Sequence, residues 1–183
     1  MEKIKLNVGC GWRNFGKEWI HIDDGDYQHL DIKSDVKKIN LPDNYADLLY
    51  ASHVIAYFNS EEIKEVLTEW KRILKPNGTL RIATPNFESM SFLYNKGKIG
   101  LDKIVGPLYG KMNMGESKIY HKMTYDFDSL SNLVKELGFV NFRTYDWKET
   151  CHSQYDDHSQ AYIPHMDKEN GTLISLNVEC EKL

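Results

Sequence analysis

The chain has 183 residues and a formal net charge of -4, enough length for one domain to bury a core of its own, and its acidic balance argues against a nucleic-acid partner. Lys96, Lys98, Lys103 and Lys111 read as a solvated face. Cys10, Cys151 and Cys180 are odd in number and lack C-x-x-C spacing, which excludes a disulfide framework and a zinc ribbon; with no signal-like leader and no run of about 18 apolar residues, a cytoplasmic protein without a membrane partner is expected.

Residues 5–24, KLNVGCGWRNFGKEWIHIDD, read as strand, glycine loop and strand. Leu6 and Val8 alternate in a short apolar run that breaks at Gly9-Cys10-Gly11, and a second run ends at Asp23 and Asp24. Glycines just past a strand let a ligand approach the backbone, and an acidic residue closing the next strand can accept hydrogen bonds from both ribose hydroxyls. Two glycines alone define no nucleotide, so the spacing decides. A dinucleotide site needs a third glycine, a helix N-terminus for the pyrophosphate and an acidic residue roughly 20 positions on. Here Arg13 and Asn14 follow Gly11, the acidic residue comes about a dozen positions later, and Gly16 interrupts the little room left for a helix. NAD is disfavoured. An adenosine ligand without phosphate, such as S-adenosylmethionine, fits.

A polar connection leads to residues 31–36, where Asp35 is a ready turn cap before Val36-Lys37-Lys38. Residues 47–51 form an apolar run expected of a buried parallel strand, the fourth, which puts Ser52 and His53 at the mouth of a ligand pocket. His53 is read either as a group in that pocket or as a cap of the strand end. Asn59 and Glu62 form a capping box for a helix with Ile63, Val66, Leu67, Trp70, Ile73 and Leu74 on one face, stopped by Lys75-Pro76-Asn77-Gly78. Residues 79–84 are the fifth strand.

Residues 87–125 read as a lid or binding insertion, with a helix at 89–94 and the remainder broken by glycines into short pieces. His121 falls here, as a structural residue or as a neutral imidazole able to take a proton. An amphipathic helix at 126–137, capped by Asp128 or Ser129 and stopped at Gly138, leads to a strand at 139–147; residues 173–180 alternate as a last strand. Between them, residues 148–172 carry Cys151, His152, Asp156, Asp157, His158 and His165 in gaps that match no zinc spacing, and are expected as a surface loop bordering the substrate site.

The motifs LNVGCG, EWIHID, LPDNYAD, SHVIAY and LKPNGTLRIATPN, in that order, resemble the class I S-adenosylmethionine-dependent methyltransferases, in particular a short bacterial branch. The resemblance implies an α/β, Rossmann-like sheet in a single domain, mostly parallel with an antiparallel last strand, helices on both faces, and a first crossover helix shortened or absent. It implies S-adenosylmethionine as cofactor, held by Asn7, Gly9, Cys10, Gly11, Asp23, Ser52 and His53, with Asp35 and Val36 at the adenine, and S-adenosylhomocysteine as product. His121, His53 and Tyr57 become the candidate catalytic residues, and Tyr57, Tyr109 and His121 the candidate substrate contacts, because the branch carries Tyr-Gly followed by His where this chain has Tyr109-Gly110 and His121. One departure stands out: the branch has Glu-His where this chain has Ala56-Tyr57. Ala56 cannot act as a base, and Tyr57, with an ordinary pKa near 10, is a donor at neutral pH. Methyl transfer to a small-molecule or sugar acceptor is therefore set beside a binding module without turnover; an NAD-type oxidoreductase is the third and least supported reading.

Overall fold

The computed structural model describes residues 3–114 and 117–183. Its centre is a seven-stranded sheet formed by β1 (Lys5–Val8), β2 (Trp19–Asp23), β3 (Ile32–Lys33), β4 (Ala46–Ser52), β5 (Leu74–Pro85), β8 (Phe139–Thr144) and β11 (Ser175–Lys182), in the order β3-β2-β1-β4-β5-β11-β8. The last strand runs antiparallel to both of its neighbours and inserts between them, while the remaining pairings are parallel. Expected topology and structure coincide here.

Side chains alternate across the sheet, so each strand contributes to two different layers. Leu6, Val8, Ile22, Leu49, Ala51, Leu80, Ile82, Leu176 and Val178 face one core, shared with Ile63, Val66, Leu67 and Trp70 of α1 (Glu62–Ile73) and with Leu130 and Val134 of α4 (Phe127–Glu136). Each fully buried Val, Leu or Ile side chain contributes about 1.5–3 kcal/mol. Trp70 also satisfies its one donor, its indole N–H meeting the Val36 carbonyl at 3.0 Å.

The other face carries Asn7, His21, Tyr50 and Asn177, all buried. No helix fills the first crossover: residues 9–18 cross as an irregular segment, and the single turn His158–Gln160 lies against β5 and β11. Phe15, Trp19, Tyr50, His152 and Tyr155 stack there as an aromatic layer. His21 anchors the crossover, its Nε2 accepting the Phe15 N–H at 2.8 Å while Nδ1 lies 3.2 Å from the Asp31 carboxylate. Asp157 accepts from the Tyr50 hydroxyl and from Ser159, and Asn177 donates to the Ser159 carbonyl at 2.8 Å. The expected surface loop at 148–172 is thus in part an inner layer: His152, Asp157, Ser159 and Gln160 are buried, Asp157 and Ser159 as partners of the polar sheet residues, His152 as a ring of the aromatic layer, and Gln160 donating to the Ser153 and Tyr155 carbonyls. Among the described residues no group of His, Cys, Asp or Glu is arranged to hold a metal.

Element boundaries differ in instructive places. The Asn59–Glu62 capping box is present, with the Asn59 side chain accepting from the Glu62 amide at 2.9 Å and Glu62 returning to the Asn59 amide at 2.9 Å. Leu74 opens β5 rather than closing the helix, and Lys75-Pro76-Asn77-Gly78 bulge out of the strand, whose pairing jumps from Leu74 to Thr79. α4 is capped by Asp126, not Asp128 or Ser129 as expected; Ser129 is the other half of the capping box. β8 stops at Thr144, and Trp147 begins a separate turn. β10 (Thr172–Leu173) pairs with β9 (Tyr162–Ile163) outside the main sheet, so the last strand starts two residues later than expected.

In the 87–125 stretch, α2 (Phe87–Asn95) is slightly longer than its expected core, capped by the Asn86 side chain. The pieces expected beyond it are in fact α3 (Leu101–Tyr109), which includes Gly106 and Pro107, and a hairpin of β6 (Lys111–Met114) and β7 (Ser117–Tyr120). Among the described residues no helix is long and apolar enough to cross a membrane.

Candidate active site

A cleft of about 1000 Å³ opens where β1, β2 and β4 end, walled on its far side by the end of α3 and the β6–β7 hairpin. Of the expected residues, Gly9, Cys10, Gly11, Asp23, Asp35, Val36, Ser52, His53, Tyr57 and His121 line it. Asn7 does not; it is buried beneath the sheet's polar face. Tyr109 points away as well, 62% exposed, while its neighbour Gly110 lines the wall.

The glycine loop is held by β2. Asp23 accepts the Gly11 amide at 2.8 Å through one carboxylate oxygen and the Gly25 amide at 2.7 Å through the other. Each oxygen keeps lone-pair capacity for a further donor, as a ribose contact would require. The two glycines serve different needs. Both adopt positive φ, but a Cβ on Gly9 would lie 2.4 Å from Val54 Cγ2, whereas one on Gly11 would meet nothing within 4 Å. Gly9 lets the β4 exit pack down, and Gly11 keeps the loop's outer surface open. Burial, then the Asp23 carboxylate, pushes the Cys10 thiol up to about 12, so it remains a neutral part of the wall. Asp35 does cap its own turn, accepting the Lys37 amide at 2.8 Å, and lines the cleft at the same time.

At the opposite end, His53 sits in the left-handed region with φ 56, its amide bonded to the Ala83 carbonyl at 2.8 Å. The strand-end bond is therefore made by backbone, leaving the ring for the cleft, where its Nε2 is buried without a hydrogen-bond partner. The ring stacks on His158 at 4.6 Å. Burial, followed by the neighbouring His158 and His121, holds His53 well below the ordinary imidazole range, and burial and Arg13 take His158 down to about 4. Arg13 approaches the His158 Nε2 at 3.3 Å. Arg13 and His158 were not anticipated from sequence; they are 145 positions apart, and no local spacing links them.

His121 is oriented by the end of α3. Its Nδ1 lies 3.1 Å from the Pro107 carbonyl and 3.2 Å from that of Leu108, and since carbonyls only accept, Nδ1 carries the proton and Nε2 the lone pair. The ring packs edge-on to Tyr57 at 4.6 Å, and a Cβ on Gly110 would fall 2.4 Å from Nε2, so the Tyr109-Gly110 pair matters through the glycine. Burial lowers the His121 pKa and raises that of Tyr57. At neutral pH the pair is a neutral imidazole, its Nε2 lone pair free, beside a phenolic donor. Ala56 is buried and offers only its carbonyl, which accepts the Lys122 and Met123 amides.

Residues 14–82 match a family profile described as a methyltransferase domain. No curated protein matches the chain in sequence. Among solved structures, an S-adenosylmethionine-dependent methyltransferase from Archaeoglobus fulgidus superposes with a TM-score of 0.60 at 18% identity, covering 98% of this chain and 86% of the other. One from Methanosarcina mazei gives 0.59 at 15% identity over 100% and 93%. The Burkholderia thailandensis 1,6-didemethyltoxoflavin-N1-methyltransferase, solved with 1,6-didemethyltoxoflavin and S-adenosylhomocysteine, gives 0.56 at 11% identity over 98% and 71%. The fold is the one these methyltransferases share.

Proposed function

We propose that the chain is an active S-adenosylmethionine-dependent methyltransferase acting on a small-molecule or sugar acceptor, with S-adenosylhomocysteine as product. The observation that carries this reading is the Asp23 carboxylate clamped under the open Gly11 turn, at the end of β2 in a fold shared with such enzymes. Gly9, Cys10, Gly11 and Asp23 would hold the ribose and amino-acid portion, Asp35 and Val36 the adenine. The cofactor supplies a methyl group already activated on a sulfonium, so the protein's work is alignment, exclusion of water and removal of one proton from the acceptor. His121 Nε2 is the group to receive that proton, Tyr57 a donor beside it, and His53 a polar contact at the end of β4. α2, α3 and the hairpin form the lid over this end of one domain.

A second reading, a cofactor-binding module without turnover, is favoured by one observation: Ala56 presents no side-chain acid or base where the resembled branch has glutamate. Calorimetry with S-adenosylmethionine, S-adenosylhomocysteine and NAD, with mass spectrometry of any ligand retained on purification, tests the cofactor. Binding of a dinucleotide and of neither sulfur compound overturns both readings; cofactor binding without methyl transfer across a broad acceptor panel selects the second.

A further inference from the structure

The two ends of the cleft differ in charge. The loop end carries the carboxylates of Asp23, Asp24 and Asp35, set against the Arg13 guanidinium and the Lys37 ammonium. At the lid end, the acidic residue among the described lining is Glu62, and its carboxylate is already engaged by the Lys122 ammonium at 2.8 Å and the Asn59 amide at 2.9 Å.

Facing this end are two lysines of the hairpin, Lys111 and Lys118. The register pairs Lys111 with Tyr120 and Asn113 with Lys118, so both lysines lie on the same face of the ribbon, on diagonal positions about 7–8 Å apart. Both are exposed, so their mutual repulsion is weak, and among the described residues neither ammonium makes an ion pair. Tyr120, directly opposite Lys111, exposes 49% of its surface beside them. Deeper in, the His53 Nε2 is buried without a partner.

We propose that the methyl acceptor is an anionic small molecule, bearing a phosphate or carboxylate group that Lys111 and Lys118 hold at the lid end of the cleft. The inference rests on the methyltransferase reading above. An anion between the lysines gives both a counter-ion, and an ammonium serves phosphate and carboxylate alike as a point charge. The Tyr120 ring offers a surface to the body of the acceptor, whose nucleophile then lies toward His121.

The test uses the full chain saturated with S-adenosylhomocysteine and titrated separately with pyrophosphate, citrate and neutral methyl glucoside. Expected is binding of at least one anion, weakened tenfold or more in the Lys111→Gln/Lys118→Gln variant, with S-adenosylhomocysteine affinity changed less than twofold; the anion preferred distinguishes phosphate from carboxylate. Lys96→Gln/Lys98→Gln, on exposed lysines away from the cleft, should leave anion binding unchanged. Equal anion affinity in wild type and the hairpin variant, no binding of either anion, or an equal loss in the control variant overturns the proposal. Failure of S-adenosylhomocysteine itself to bind is a separate result, and defeats the methyltransferase reading instead.

Discussion

Asp23 and Gly11 are joined by a 2.8 Å hydrogen bond from the Gly11 amide to the carboxylate, which ties the turn after β1 to the end of β2. One side chain thereby shapes the loop and offers lone pairs to whatever lies against it.

Replacing Asp23 with Ala removes both effects. The variant should bind S-adenosylmethionine more weakly by roughly 1.5–3 kcal/mol, the scale of a lost hydrogen bond to a charged group, and should also unfold at lower denaturant. Calorimetry that returned wild-type affinity would remove Asp23 from the ribose site.

Gly9→Ala should cost more than Gly11→Ala. Both force an L-residue into positive φ, worth about 1–2 kcal/mol, but only at Gly9 does the added Cβ meet the Val54 side chain, at 2.4 Å. Val54→Ala in the Gly9→Ala background should restore part of the loss in urea unfolding. Equal costs at the two glycines would contradict this division.

His121→Ala should depress turnover while leaving S-adenosylhomocysteine affinity within about twofold. Burial lowers the His121 pKa, so its neutral, proton-accepting form persists to lower pH than in a free imidazole. The acid limb of kcat should therefore lie below about 6.5 and vanish in the variant. An acid limb retained without His121 would assign the proton acceptor elsewhere.

Acid should destabilise the fold through the buried His152, whose two ring nitrogens have no partner and whose pKa is held down to about 3. The unfolded chain takes up a proton near 6.5 that the folded one refuses, so the contribution of the neutral ring is complete above that value and is lost as pH falls toward 3. The slope is up to about 1.4 kcal/mol per pH unit for this histidine. Asp157, whose pKa burial raises, acts in the opposite sense at more acidic pH. Urea midpoints measured from pH 7 to pH 5 should fall, and His152→Phe, which keeps a ring in the aromatic layer without the buried nitrogens, should flatten the decline.

Local chemistry makes much of this protein legible in its sequence. Alternation marked β1 and the last strand, a continuous apolar run marked β4, the Asn59–Glu62 box the start of α1, and the short interval from Gly11 to Asp23 a first crossover helix shortened or absent, because each depends on neighbours in the chain. The lid was harder to read. Gly106 and Pro107 signal a break, yet α3 runs through them, since Ile104 packs against Met90 and Leu93 and packing outweighs propensity there.

The far side of the sheet and the lid end of the cleft take shape only when distant segments pack together. His152 and Asp157 read as loop residues until the sheet face without a crossover helix takes them in, Asp157 as acceptor for the buried Tyr50 hydroxyl and His152 as a ring of the aromatic layer. The stacking of His158 on His53, and the bonds from His121 to the carbonyls closing α3, join positions whose separation leaves no periodic trace. Periodicity reports which side of an element is apolar; which distant side chain meets it is settled by burial and by the need of each buried polar atom for a partner.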